Sequence, residues 1–512
     1  MESLGSRITR RTFLEAGAIA AASLASGRWA LAEAERRALP YSDYARHDAI
    51  GLAQLVARGE VQPSELLEAA IARSEAVNPK INAVVLEHFA RGRAALREGL
   101  PQGPFRGVPF MLKDLGAGLA GTITTNGSRF FADAVASRTS TLVERYEAAG
   151  LVIFGKTASP EFGATSTTES KLWGKTRNPW NLELSAGGSS GGAAAAIAAG
   201  IVPAAHASDG GGSIRIPAAN CGLFGIKPTR GRTPQGPYVF DAWGGLSIAH
   251  VISRSVRDSA ALLDATQGGE LGDPWMAPAR VRPYLDEVAA PPGRLRIGVQ
   301  RRSFMPVETH AECLAAVDAA AKLCESLGHH VEEIEPPPLP PDRFFEPMVV
   351  MKGTALVMSV GARQQVLGRV VTQADLETRN WSDYQDALSF TAPQYEIARQ
   401  TAYAFGRIVV QHQKRFDAVL SPTLAVPPPK LGILSLSNMG DDFAPAAVAT
   451  SAFTAMYNIS GQPAMSVPLH WSEAGIPIGT MFAGPPGGEA QLFRLAAQLE
   501  AARPWHDRRP AI

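Results

Sequence analysis

Gly187-Gly-Ser-Ser-Gly-Gly192, an alanine-rich run, and then Ser208-Asp-Gly-Gly-Gly-Ser-Ile-Arg215 form the stretch that decides how this chain is read. It sets two serines, Ser189 and Ser213, each inside a glycine-built bend and 24 residues apart. Glycine takes positive φ without steric cost, so such bends turn backbone N–H groups outward and leave them unpaired. A serine beside free N–H donors suits acyl transfer: a nucleophilic oxygen next to a pocket for an oxyanion. Upstream, Val108-Pro-Phe-Met-Leu-Lys113-Asp114 ends an apolar run on a lysine. Burial disfavours an ammonium ion, so a lysine delivered by an internal strand can serve as a neutral base. Lys113, Ser189 and Ser213 together make a hydrolase site without histidine.

Working outward, helical periodicity and apolar runs alternate. Residues 41–100 read as helices, with Leu52, Leu55, Val56 and Leu66, Leu67, Ala70, Ile71 at helical spacing and Pro63 in a first turn. Residues 107–113, Leu151–Phe154, Val202–Ala207 and Leu223–Lys227 read as strands, 139–149 and Gly191–Gly200 as helices. Arg294–Gln300, Ala311–Leu327 and Val331–Ile334 add a strand, a helix and a strand. The alternation predicts an α/β protein whose sheet is covered on both faces. Residues 343–400, rich in Phe, Met, Trp and Tyr, follow the proline-rich run 336–341 and are expected in the core, or folded over the site.

Composition narrows the class. With 46% apolar residues, 19% charged and a net charge of +1, the chain is a globular enzyme type with no electrostatic reason to hold nucleic acid or an anionic membrane. Length alone suggests about three domains. Arg10-Arg11-Thr-Phe-Leu14, the mild apolar run 16–25 and Ala30-Leu31-Ala32 read as a twin-arginine export signal over 1–32, ahead of a domain over 33–512. The run is too short for the ~20 residues of a membrane span, so a periplasmic or secreted bacterial protein is expected, without stable membrane insertion. Cys221 reads as a small buried hydrophobe, and Cys313 and Cys324 lie too far apart on one helix to bond. His329-His330 reads as a solvated turn, and no Cys/His spacing suits a metal; neither metal nor cofactor is expected.

Three formal motif matches imply other chemistry. Gly150-Leu-Val-Ile-Phe-Gly-Lys156-Thr157 fits a phosphate loop, but its interior belongs in a strand. Gly116-Ala-Gly118-Leu-Ala-Gly121 fits a dinucleotide fingerprint, yet Thr122-Ile-Thr-Thr that follows offers no helix N-terminus. Gly187-Gly-Ser189-Ser-Gly191 fits a nucleophile elbow, with Asp417 and His470 as partners. That reading makes an α/β-hydrolase-type esterase of Ser189 and leaves Lys113 and the second bend unexplained.

These residues resemble the amidase signature family. The likeness extends to Gly155-Lys-Thr-Ala-Ser-Pro-Glu-Phe-Gly163, Thr176-Arg-Asn-Pro-Trp180, Cys221-Gly-Leu-Phe-Gly-Ile-Lys-Pro-Thr229 and Tyr457-Asn-Ile-Ser-Gly-Gln-Pro-Ala464, and so covers about 45–505, with the signature core at 105–235. Residues 453–468 and 501–505 are similar to the branch holding hydrolases of aryl amides and of the cyclic nylon dimer. The resemblance implies one large domain with a central, mixed, twisted sheet and helices on both faces. It implies hydrolysis of a carboxylic amide C–N bond, small-molecule amide substrates and an acyl-enzyme on Ser213. Ser189, behind a cis peptide bond, would link Ser213 to Lys113. The N–H groups of Gly210, Gly211, Gly212 and Ser213 would form the oxyanion hole, with Asp209 paired to Arg215 and Ser190 assisting. Many relatives carry Thr or Ile where this chain has Gly210. A homodimer is left open, and the export signal argues against a cytosolic tRNA-amidating glutaminase subunit.

Overall fold

Runs of four to eight residues pair into one sheet of 11 strands in the computed structural model, which describes residues 38–512. The expected export signal over 1–32 lies outside the described residues. In chain order the strands are β1 (Val84–Glu87), β2 (Pro109–Lys113), β3 (Val152–Thr157), β4 (Ala204–Asp209), β5 (Phe224–Lys227), β6 (Ile248–Ser253), β7 (Arg296–Val299), β8 (His330–Glu333), β9 (Ala418–Pro422), β10 (Ala464–Trp471) and β11 (Pro477–Ala483). Their order across the sheet is β1-β3-β2-β4-β6-β5-β10-β11-β9-β7-β8. The sheet is mixed, as expected: β2 runs parallel to β3 and β4, and β7 to β8 and β9, while the central pairs are antiparallel. Every residue of β2 and β3 is buried, as a strand covered on both faces requires.

Helices cover the sheet. Those used below are α1 (Pro63–Ile81), α2 (Thr141–Ala148), α3 (Gly191–Ala198), α4 (Arg215–Cys221), α5 (Ala311–Ser326), α6 (Glu346–Leu367), α7 (Thr378–Ala387), α8 (Ala392–Gln413) and α9 (Ala455–Ser460). Pro63 opens α1 at its first turn beside a Gln62/Glu65 capping box, where its missing N–H costs nothing. All eight residues of α3 are buried, and only glycine, alanine and one isoleucine are thin enough for that approach.

Three expectations need correction. Residues 41–100 are not wholly helical, because Val84–Glu87 pairs with β3 as an edge strand. His329 is buried rather than solvated, its Nδ1 accepting the Leu295 N–H at 3.1 Å and its Nε2 lying 2.8 Å from Gln498. Phe344 and Met351 belong to the core beneath α8 and α9, and no residue of 343–400 walls the cavity described below. The two rejected motif matches stand as read: the phosphate-loop match is β3 itself, fully buried, and the fingerprint at 116–121 runs into a loop.

The parallel register Met111–Ala205 brings the ends of β2 and β4, and so Lys113 and Asp209, to one end of the sheet. The 187–190 bend meets them there: Ser190 Oγ lies 3.2 Å from the Ser208 carbonyl and 3.3 Å from its N–H.

Candidate active site

Lys113 closes β2 fully buried, with Nζ 2.7 Å from Ser189 Oγ and 3.1 Å from Ser208 Oγ. Burial pushes its ammonium down to about 7, against an upward pull from Asp209. Near neutral pH the amine is therefore available with its lone pair. A neutral amine can accept the Ser189 hydroxyl and donate one N–H to Ser208. Ser208, inside the quoted motif but not singled out by sequence, thus shares the lysine.

The first bend is held by neutral groups. Thr168 Oγ1 donates to the Gly187 carbonyl at 2.9 Å and accepts the Gly191 N–H at 3.0 Å. Ser185 Oγ accepts the Gly187 N–H at 3.0 Å. The Gly188–Ser189 peptide is cis. Position 188 must be glycine, since a Cβ there would stand 2.3 Å from the Thr167 carbonyl oxygen. Ser189 is 3% exposed, facing Lys113 on one side and the cavity on the other.

The second bend is held by an ion pair. Asp209 and Arg215, both fully buried, meet through two hydrogen bonds of 2.9 Å each. Asp209 also accepts the N–H groups of Gly212 at 2.7 Å and Ile214 at 3.1 Å. Asn458 of α9 donates to its carbonyl and carboxylate at 2.9 and 2.8 Å and accepts from Arg215 at 2.7 Å. Burial works against the Asp209 carboxylate, but Arg215 and Asn458 outweigh it and hold the group well below the usual carboxylate range. Desolvating two such ions costs several kcal/mol each, repaid only when every lone pair is met, as here. Thr454 Oγ1 fixes the Gly211 carbonyl at 2.7 Å. Asn458 and Thr454 lie in or beside a quoted motif, but nothing local tied them to Asp209.

The oxyanion expectation is corrected at Gly212, whose N–H is committed to Asp209. The N–H groups of Gly210, Gly211 and Ser213 have no protein acceptor among the described residues. Ser213 is half-buried and opens on the same cavity as Ser189.

That cavity holds about 190 Å³ and is walled by Leu115, Leu142, Val143, Phe162, Tyr238 and Trp243, with no Lys, Arg, Asp or Glu in its lining. Lys113, Asp209 and Arg215 are all buried and absent from that lining. Trp243 explains the glycine at 210: a Cβ there would stand 2.6 Å from the indole ring. The ring occupies the space that a side chain at 210 would take. A larger cleft of about 390 Å³, lined by Arg46, Asp48, Arg254, Arg257 and Glu500 among others, contains none of these residues. The elbow partners are dispersed: His470 lies 3.7 Å from Glu312, and Asp417 accepts the Arg296 N–H at 2.7 Å. Among the described residues no three His, Cys, Asp or Glu side chains converge as a metal would need, and no helix is long and apolar enough to cross a membrane.

The Amidase family model matches residues 65–493. The 6-aminohexanoate-cyclic-dimer hydrolase of Paenarthrobacter ureafaciens is 40% identical over 480 residues, 91% of this chain and 96% of the relative. A solved structure of a 6-aminohexanoate cyclic dimer hydrolase complexed with substrate superposes with a TM-score of 0.86 at 37% identity, covering 91% and 98% of the two chains. A bacterial aryl acylamidase of the amidase signature family gives 0.83 at 28%, covering 90% and 96%.

Proposed function

Because this chain belongs to the amidase signature family and hydrolyses amide C–N bonds, we propose that it does so through an acyl-enzyme on Ser213, with Lys113 as neutral base and Ser189 between them. The observation that carries this reading is the 2.7 Å contact between a fully buried lysine and a serine that shares a cavity with Ser213. Ser213 Oγ attacks the amide carbon while its proton passes to Ser189 Oγ, and the Ser189 proton passes to Lys113 Nζ. The oxyanion takes hydrogen bonds from Gly210, Gly211 and Ser213, which are fixed before reaction and cost no reorganisation. Collapse breaks the C–N bond, and the proton returns through Ser189 to the leaving amine. Water, deprotonated by the same relay, then frees the acid.

The substrate we infer is an uncharged amide, cyclic or aryl, because the cavity lining carries no ionised side chain to meet a charge. The 40% identity to a cyclic-dimer hydrolase favours the cyclic case. Rates on the 6-aminohexanoate cyclic dimer, a hydrophobic anilide, glutamine and asparagine decide it. Higher kcat/KM for the first two is expected; preference for glutamine or asparagine overturns the reading. Export by the twin-arginine route is proposed from Arg10-Arg11 and Ala30-Leu31-Ala32, and a mature N-terminus other than Glu33 in the periplasm of an expressing bacterium argues against that cleavage site.

A further inference from the structure

The mechanism above leaves His206 unused, although it holds the Lys113 backbone and lines the cavity onto which Ser189 and Ser213 open. It lies on β4 two residues before Ser208, and successive side chains on one face of a strand are two apart, so both rise from the same face. The ring is 2% exposed and lines the cavity with Leu142, Val143, Ser208 and Ala249. Its Nδ1 accepts the backbone N–H of Lys113 at 3.2 Å. A neutral imidazole whose Nδ1 accepts must carry its hydrogen on Nε2. That tautomer is assigned from the hydrogen-bond network.

No protein atom among the described residues accepts the Nε2 hydrogen, and Nε2 is not sealed in the interior. The one surface open to a ring this buried is the cavity it lines. Tyr146 packs edge-on against the ring at 6.1 Å, which fixes its orientation. Burial, then the charges of Lys113, His250 and Lys156, push the imidazolium down to about 3, so the ring donates a single hydrogen at neutral pH. A ligand that fills the cavity without offering an acceptor leaves this donor unpaired, whereas one that supplies the acceptor pairs it and binds selectively.

We propose that His206 is a substrate-binding residue whose Nε2–H takes the carbonyl oxygen of a second amide in the substrate, away from the carbonyl attacked by Ser213. This deepens, and rests on, the amide-hydrolase reading. A neutral carbonyl fits better than a carboxylate, because the lining holds no cation to balance a charge. The class named is therefore the diamide, in which one carbonyl is cleaved while the other holds the ring or chain in register. A monoamide of the same size leaves the donor unpaired, and sites built to hydrogen-bond a group discriminate against analogues that lack it.

The test compares a cyclic diamide with the lactam of the same ring size. His206→Asn places Oδ1 near the position of Nδ1, keeps an acceptor for the Lys113 N–H and removes the donor from the cavity. His206→Gln reaches the Nε2 position. The diamide-to-lactam ratio of kcat/KM should fall about tenfold in His206→Asn, the scale of one net hydrogen bond, and return toward the parent value in His206→Gln. Calorimetric titration of both ligands into Ser213→Ala, with and without His206→Asn, should show the same selective loss without turnover. An unchanged ratio, or equal losses for diamide and lactam, overturns the proposal. Failure of the wild-type enzyme on every amide would instead strike the reaction itself, and the titration would still report the His206 contact.

Discussion

In the proposed mechanism the two glycine–serine bends do different work, and they are built differently. The bend at 187–192 is tied by threonine and serine hydroxyls, and its serine is nearly sealed from solvent. The bend at 209–215 is tied by a buried ion pair and an asparagine, and its serine opens on the cavity. The first only has to set one hydroxyl between a lysine and a second serine, and neutral hydrogen bonds suffice. The second has to hold N–H dipoles rigid while negative charge grows in front of them. Dipoles that relaxed toward the charge would forfeit part of their stabilisation, and the Asp209–Arg215–Asn458 lattice prevents that. Arg215 also neutralises a carboxylate that would otherwise repel the oxyanion.

The largest expected effect separates the two serines as chemical species. Ser213→Ala should lower kcat by about 10⁴- to 10⁶-fold, the scale for removing a nucleophile. A fluorophosphonate should label the parent enzyme at Ser213. The tryptic fragment from Asn178 to Arg215 contains both serines, so tandem mass spectrometry must place the adduct within it. An adduct on Ser189 breaks the comparison and restores the elbow reading.

Next in size is the lysine that Ser189 of the first bend touches. Lys113→Ala should cost about 10²–10⁴-fold in kcat/KM. Its neutral form is the active one and its ammonium titrates at about 7, so activity of the parent enzyme should rise with pH through that value and level above it. A profile flat from pH 5 to 9 would exclude Lys113 as the base.

The ion pair of the second bend should show itself in stability. Arg215→Met leaves Asp209 buried without its partner, a change that costs about 3–5 kcal/mol, read by urea denaturation. Asp209→Asn combined with Arg215→Met should recover part of that loss. If the double variant is no more stable than Arg215→Met, the pair is not the element that holds the bend.

What could be read in the sequence follows the same division. Both bends are local, so Ser189, Ser213 and the Asp209–Arg215 pairing were legible from adjacent residues. The strands β2, β4 and β5 were legible because burial on both faces leaves continuous apolar runs. Asn458 is 249 residues from Asp209 in sequence, and a partner that distant leaves no local trace. Of the two expectations for 343–400, the core is observed and folding over the site is not, because an aromatic- and Met-rich run at helical spacing reads alike whether it faces a core or a ligand. Trp243 was hidden too, because what marks it is a missing side chain at Gly210, visible only once the ring is seen above it. The sheet order, in which β6 lies between β4 and β5 and β10 beside β5, depends on pairings no single run encodes.

The smallest expected effect tests the bend that mimics another enzyme class. Gly187-Gly-Ser189-Ser-Gly191 would need a histidine near Ser189 to act as an elbow. His470 instead lies near the end of β10 beside Glu312, 3.7 Å from that carboxylate, with both side chains partly exposed. A pair this open to solvent contributes about 0–1 kcal/mol. His470→Ala should therefore change kcat/KM less than about twofold and stability by about 0.5 kcal/mol, the range for substitutions away from any special feature. In an elbow enzyme the same substitution removes the general base and costs about 10²–10⁴-fold. The two readings of Ser189 thus differ by at least about fiftyfold in one rate measurement, and the geometry places this protein at the small end.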